Sequence, residues 1–116
     1  MNNYIVPPKS GRAVRLPDRV GTTDIQHCLV PILYSPQTGI IALAHVYDIG
    51  GPARYSEDRV IDSLLEDMMT IDSSLLSFPL RAHLVGELDA SLAKPENRTD
   101  RVSSALKQRG VPVVNR

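Results

Sequence analysis

The residues best suited to chemistry are the single cysteine, Cys28, and a histidine, His45, which lie in two neighbouring apolar segments. A loop of Ser-Pro-Gln-Thr-Gly at residues 35–39 separates the segments, and this pattern predicts a β-hairpin. Because Cys28 and His45 are almost equidistant from the centre of the loop, antiparallel pairing would place them roughly opposite each other. Paired strands lie about 4.8 Å apart, so a thiol and an imidazole on one face could approach contact. That is the minimum arrangement for a cysteine nucleophile activated by a histidine.

The same residues also have non-catalytic interpretations. A lone cysteine in an apolar strand is most often a small buried hydrophobic residue, and His45 could equally be a hydrogen-bonded core histidine. A metal site built from His27, Cys28 and His45 is a third alternative, although the sequence has no Cys-x-x-Cys pattern. His83 belongs to a different predicted strand and is interpreted as structural. These residues alone therefore leave the chemistry open.

Length and composition limit the classes of protein to which the chain can belong. The 116 residues predict a single domain over residues 1–116. Thirteen basic and thirteen acidic residues cancel, and the aromatic content is only 4%, so we expect no binding to nucleic acid. The apolar segments are shorter than the roughly 20 residues of a membrane span, so we expect no membrane insertion. Without a signal-peptide pattern or a second cysteine, we expect a cytoplasmic location.

Proline, glycine and hydrophobic periodicity divide the chain into elements. Residues 1–11 are predicted to be an extended or loosely ordered N-terminal segment, because two prolines exclude a helix. A short strand follows at residues 12–16 and a turn at residues 17–21, and the hairpin comes next. Ser56 is a candidate cap for a helix that runs to about residue 70. Its apolar stripe is Val60, Ile61, Leu64, Leu65 and Met68.

The second half of the chain alternates strand and helix patterns. A strand is predicted over residues 80–86, and residues 88–94 are ambiguous. Pro95 begins a second helix with Val102, Ala105 and Leu106 facing inward, and Gly110 ends it. A short strand at residues 111–114 follows. The order β-β-β-α-β-α-β predicts an α/β or α+β layered domain, in which a mixed β-sheet packs against two helices.

A wider pattern surrounds the cysteine and the histidine. Thr22 lies six residues before Cys28, and His45 lies seventeen residues after it. With Leu-Tyr-Ser-Pro at residues 33–36 and Leu-Ala-His-Val at residues 43–46, the chain resembles the CheD family of bacterial chemoreceptor glutamine deamidases. The similarity covers most of the chain in order: it continues in residues 52–55 and in the helix over residues 60–69, is weaker in residues 80–86 and returns in residues 97–114.

The resemblance implies a CheD-like cysteine hydrolase fold and a catalytic triad of Cys28, His45 and Thr22. It implies that the enzyme converts protein glutamine to glutamate on chemoreceptor-like cytoplasmic helices, with no cofactor and with a CheC-type phosphatase as a partner. Gln26 and His27 replace the Gly-Ser that precedes the family's cysteine. The family also continues into closing strands beyond the position of Arg116, so we expect a shorter sheet here. The alternatives are a non-catalytic binding or regulatory module on the same fold and an enzyme acting on a small-molecule amide.

Overall fold

The computed structural model describes residues 1–7, 10–23, 28–47, 57–86 and 95–115, which form an α+β fold and confirm the predicted fold class. Within these residues, two helices and a short 3-10 helix accompany two β-sheets. The strands are β1 (Asn3–Val6), β2 (Gly11–Arg15), β3 (Arg19–Thr22), β4 (Cys28–Ser35), β5 (Ile40–Ala44), β6 (Val46–Tyr47), β7 (Arg81–Val85) and β8 (Val113–Asn115). The helices are α1 (Glu57–Ile71) and α2 (Pro95–Gln108), and the 3-10 helix is Leu75–Ser77.

The predicted hairpin forms the centre of the larger sheet. Strands β4 and β5 pair antiparallel from Ser35↔Ile40 to Ile32↔Leu43. Gly39 closes the turn with a φ of 72°, and its N–H donates to the Ser35 carbonyl at 2.9 Å. The strand order is β2-β5-β4-β7-β8, with β6 also paired to β4. Among the described strands of this sheet, only the β7–β8 pair is parallel, so the sheet is mixed as predicted.

Side-chain alternation gives the larger sheet two buried faces. On one face, residues such as Leu29 and Leu33 of β4 pack against the two helices. The residues predicted to face inward from the helices are buried on this face, except Val60, which is only partly buried. The buried ones are Ile61, Leu64, Leu65, Met68, Val102, Ala105 and Leu106. On the other face, Val30 and Leu43 pack against Val6 of β1. The smaller sheet therefore covers the second face of the hairpin.

The smaller sheet consists of β1 and β3, which pair in parallel from Asn3↔Arg19 to Val6↔Thr22. Its first strand lies in the segment predicted to be extended or loosely ordered. Its second strand corrects the turn predicted for residues 17–21, since Arg19, Val20 and Gly21 belong to β3. Parallel strands are not joined by a tight turn, so no local sequence pattern predicts their pairing. Pro17 and Gly21 are residue types that are common in turns, so the local sequence indicates a turn instead.

Helix α2 ends as the sequence predicts. Gly110 has a φ of 71°, the left-handed conformation that glycine adopts without steric cost. The Val111 N–H donates to the Leu106 carbonyl at 2.9 Å, and the Gly110 N–H donates to the Lys107 carbonyl at 3.0 Å. These two bonds form a Schellman motif, which satisfies the last carbonyls of the helix. The predicted cap Ser56 and the ambiguous residues 88–94 lie outside the described residues.

A guanidinium links the two helices. Arg109 donates to both carboxylate oxygens of Asp62, at 2.6 and 3.0 Å, and to Asp58 at 2.9 Å. It also donates to the Ala105 carbonyl at 2.8 Å. The hydrogen bond from Arg109 lowers the pKa of Asp62, and the same bond raises the pKa of Arg109 above its ordinary value. Because Asp58 and Asp62 lie in α1 and Arg109 directly follows α2, the cluster fixes α1 against the end of α2.

Neither helix in the described part of the chain is long and apolar enough to cross a membrane.

Candidate functional site

His45 lies between β5 and β6, under the smaller sheet, and its side chain is completely buried, with 0% exposure. Its backbone N–H donates to the Ser10 carbonyl at 2.9 Å, so the segment before β2 anchors the histidine main chain. A buried imidazole loses its hydrogen bonds to water, and protein groups must replace them. The surroundings of its two ring nitrogens therefore determine what the histidine can do.

The Nδ1 atom of His45 has a defined partner. It lies 2.8 Å from Oγ1 of Thr22, and that hydroxyl in turn donates to the Val6 carbonyl at 2.6 Å. A hydroxyl has one proton and two lone pairs. Since the Thr22 proton is directed to Val6, the hydroxyl presents a lone pair to the imidazole, and Nδ1–H donates to it. A neutral imidazole carries a single N–H, so Nε2 holds a lone pair.

The Nε2 atom of His45 is also buried, and it has no hydrogen-bond partner among the described residues. Buried polar atoms of native proteins are nearly always hydrogen-bonded, and the exceptions concentrate at catalytic groups or beside unplaced partners. An imidazole nitrogen that carries no proton has a basic lone pair, so Nε2 can accept a proton. This end of the imidazole is thus prepared to act as a general base.

Strand β4 begins with Cys28, whose backbone pairs with Tyr47 rather than with His45. Extending this register places His45 opposite Val30, so the predicted opposition of Cys28 and His45 is offset by two residues. The turn occupies residues 36–39, so its centre lies one residue beyond the midpoint between Cys28 and His45. Diagonal neighbours of this kind have Cα atoms about 7–8 Å apart, within reach of an aromatic side chain.

The residues around this point of the hairpin are buried. Val30, which lies opposite the position of His45, packs with Leu43 in the cluster beneath the smaller sheet. The fold therefore brings the side chains of Thr22 and His45 into contact, and the backbone of Cys28 begins the strand next to β6.

His83 lies on a different strand from His45. It is exposed on β7, opposite Ile32. His27 lies outside the described residues, so the structure does not test the metal site of His27, Cys28 and His45. Among the residues that the structure does describe, no three His, Cys, Asp or Glu side chains are arranged to hold a metal ion.

Two groups that hold the site have no signal in the sequence. The Val6 carbonyl accepts from Thr22, and the Ser10 carbonyl accepts from the His45 backbone. Both are main-chain atoms, which every residue type provides, so only the pairing of β1 with β3 and the path of the chain into β2 could have indicated them.

No protein-family model matches this chain, and no curated protein matches it. The functional assignment therefore depends on the geometry around His45 and on the sequence resemblance.

Proposed function

We propose that this protein is a cysteine hydrolase of the CheD kind, which deamidates glutamine side chains of a protein through Cys28, His45 and Thr22. One observation carries the proposal: a completely buried His45 whose Nδ1 contacts the Thr22 hydroxyl and whose Nε2 has no partner in the described part of the chain. A core histidine with a purely structural role would be expected to use both nitrogens, because an unpaired buried polar atom is destabilising.

In the proposed first step, Nε2 of His45 accepts the proton of the Cys28 thiol. A free thiol has a pKa near 8.5, so little thiolate is present at neutral pH without such a base. The thiolate sulfur then attacks the carboxamide carbon of the substrate glutamine and forms a C–S bond. Backbone N–H groups at or beside Cys28 would hold the resulting oxyanion.

In the second half of the reaction, the protonated His45 gives its Nε2 proton to the amide nitrogen. The C–N bond breaks, ammonia departs, and a thioester remains on Cys28. Water then adds to the thioester carbon while His45 takes one of its protons. Collapse of this intermediate breaks the C–S bond, releases glutamate and returns the proton to sulfur. No cofactor takes part.

Thr22 acts as the orienting member of this triad. Its hydroxyl accepts from Nδ1–H and stabilises the imidazolium that forms when Nε2 is protonated, the role that a third residue has in other triads. The proposed substrate is a surface glutamine on chemoreceptor-like cytoplasmic helices, and the proposed partner is a CheC-type phosphatase. Both would require a cytoplasmic location.

The proposal is tested by incubating the protein with the recombinant cytoplasmic helical domain of a chemoreceptor. Mass spectrometry of its peptides should detect glutamine converted to glutamate, with an equal amount of ammonia released. The Cys28→Ser variant is the control, because a serine hydroxyl is a much weaker nucleophile next to the same base. Binding of the helical domain without conversion would favour the alternative, a non-catalytic binding module on the same fold.

A further inference from the structure

We propose that strand β1 is a functional part of the site, because the carbonyl of Val6 fixes the direction of the Thr22 hydroxyl and thereby the tautomer of His45. Val6 is thus a positioning residue that acts through its main chain. The catalytic consequence rests on the proposed function, whereas the tautomer itself does not.

The hydroxyl of Thr22 lies between two acceptors. The Val6 carbonyl is 2.6 Å away and can only accept, whereas Nδ1 of His45 is 2.8 Å away and can accept or donate. With the carbonyl present, the single hydroxyl proton is engaged, so Nδ1 must be the donor. Without it, the hydroxyl could rotate and donate to Nδ1. The imidazole proton would then reside on Nε2, and His45 could not accept a proton from a thiol.

The structure holds the Val6 carbonyl firmly. The Val6 side chain is 3% exposed and packs against Val30 and Leu43 of the hairpin. The backbone of β1 runs parallel to β3 with Val6 beside Thr22. At its other end, the Arg19 N–H donates to the Asn2 carbonyl at 2.8 Å.

This carbonyl can be weakened selectively. Pro7 follows Val6, and proline has no backbone N–H. Replacing the amide between Val6 and Pro7 by an ester therefore removes no hydrogen-bond donor of the wild-type chain. An ester carbonyl is a weaker acceptor than an amide carbonyl. We would compare Pro7→Ala, which keeps an amide, with a depsipeptide that has L-lactate at position 7. Pro7 is exposed, so both changes leave the core intact.

This depsipeptide can be prepared by chemical ligation at Cys28. Its single cysteine is Cys28, so a synthetic thioester of residues 1–27 can be ligated to recombinant residues 28–116 without altering the sequence at the junction. The readout is the ¹⁵N spectrum of the imidazoles, which distinguishes the two tautomers. Signals are assigned with the His27→Gln and His83→Gln variants.

We expect wild type and Pro7→Ala to show His45 with the proton on Nδ1. The lactate depsipeptide should shift the tautomer ratio toward Nε2–H by at most about three- to tenfold, the equilibrium effect of losing one whole hydrogen bond, because the ester carbonyl remains a weak acceptor. Alkylation of Cys28 by iodoacetamide at neutral pH should be slower than in Pro7→Ala, by a smaller factor, because the rate follows the fraction of His45 with a free Nε2. Thr22→Ser should keep the wild-type tautomer, whereas Thr22→Val should lose it, which provides a second test in ordinary recombinant protein.

A wild-type His45 with its proton on Nε2 would overturn the inference, and so would identical tautomer ratios in Pro7→Ala and the depsipeptide. If the tautomer shifts as expected while Cys28 alkylates slowly in every form, the inference about Val6 stands and the proposed catalytic function fails.

Discussion

Replacing Thr22 with valine removes a hydroxyl from the centre of the site at nearly constant volume. That hydroxyl is the partner of His45 Nδ1 and a donor to the Val6 carbonyl. After Thr22→Val, the completely buried His45 retains no partner for either ring nitrogen within the described part of the chain. The loss therefore falls on a group that water cannot readily reach.

The size of the effect follows from the cost of an unpaired buried polar group, about 1–3 kcal/mol. The added valine methyl recovers part of it, so we expect Thr22→Val to lower the free energy of unfolding by about 2 kcal/mol. For a chain of this size, each kcal/mol lowers the melting temperature by about 4 °C, so the expected decrease is about 8 °C.

Urea titration measures the change, provided that the slope of the unfolding free energy against urea is the same in all variants. Thr22→Ser is the matched control, because it keeps the hydroxyl and loses only one methyl, at a cost of about 0.5–1 kcal/mol. If Thr22→Ser is destabilised as much as Thr22→Val, the hydroxyl contributes nothing to stability and the hydrogen bond between Thr22 and His45 is refuted.

Three further predictions concern the framework around the site. Arg109→Ala should lower the free energy of unfolding by about 1–2 kcal/mol, because it removes the bidentate pair with Asp62 and two further hydrogen bonds. Arg15→Ala breaks one exposed ion pair of 3.2 Å, so it should cost under about 0.5 kcal/mol in the same urea titration. The pKa of Asp62 is lowered in the folded state, so its contribution is present above its unfolded pKa of about 3.9 and is lost as pH falls through the lower folded value. Asp62→Asn should therefore flatten the acid limb of stability against pH, by under about 1 kcal/mol because the carboxylate is 54% exposed; an unchanged acid limb would contradict this. Gly110→Ala should cost about 1 kcal/mol because φ is +71°. Gly21→Ala should be near neutral because no atom of the described residues outside its chain neighbours lies within 4 Å of the added Cβ; equal effects on the melting temperature would refute the left-handed cap.

The parts of the fold that could be predicted are those with local signals. The stripe from Ile61 to Met68 repeats at helical spacing, and Gly110 is the residue that a left-handed helix end requires. The hairpin has a proline and a glycine between two apolar segments. In each case neighbouring residues determine the structure, because the relevant contacts or dihedral angles are formed within a few positions of the chain.

The remaining features depend on contacts between distant segments. Strand β1 pairs in parallel with β3 across residues 7–18, and no turn residue encodes that pairing. The offset between Cys28 and His45 depends on how the turn at residues 36–39 forms, which spacing alone does not determine. The contact of Thr22 with His45 could be anticipated only through the family resemblance, and the Val6 carbonyl could not be anticipated at all.

If His45 activates Cys28, the rate of iodoacetamide alkylation against pH should show it. Cys28 is the only cysteine, so the mass increase of the intact protein reports it without ambiguity. We would compare wild type with His45→Ala and with His45→Gln, a variant closer in size. The control is His83→Ala, which removes an exposed histidine on β7, a strand separated from β6 by β4. We expect wild type and His83→Ala to alkylate with a midpoint well below the value of about 8.5 of a free thiol, and both His45 variants to lose that shift. Slow alkylation in wild type that is indifferent to His45 would contradict the catalytic account.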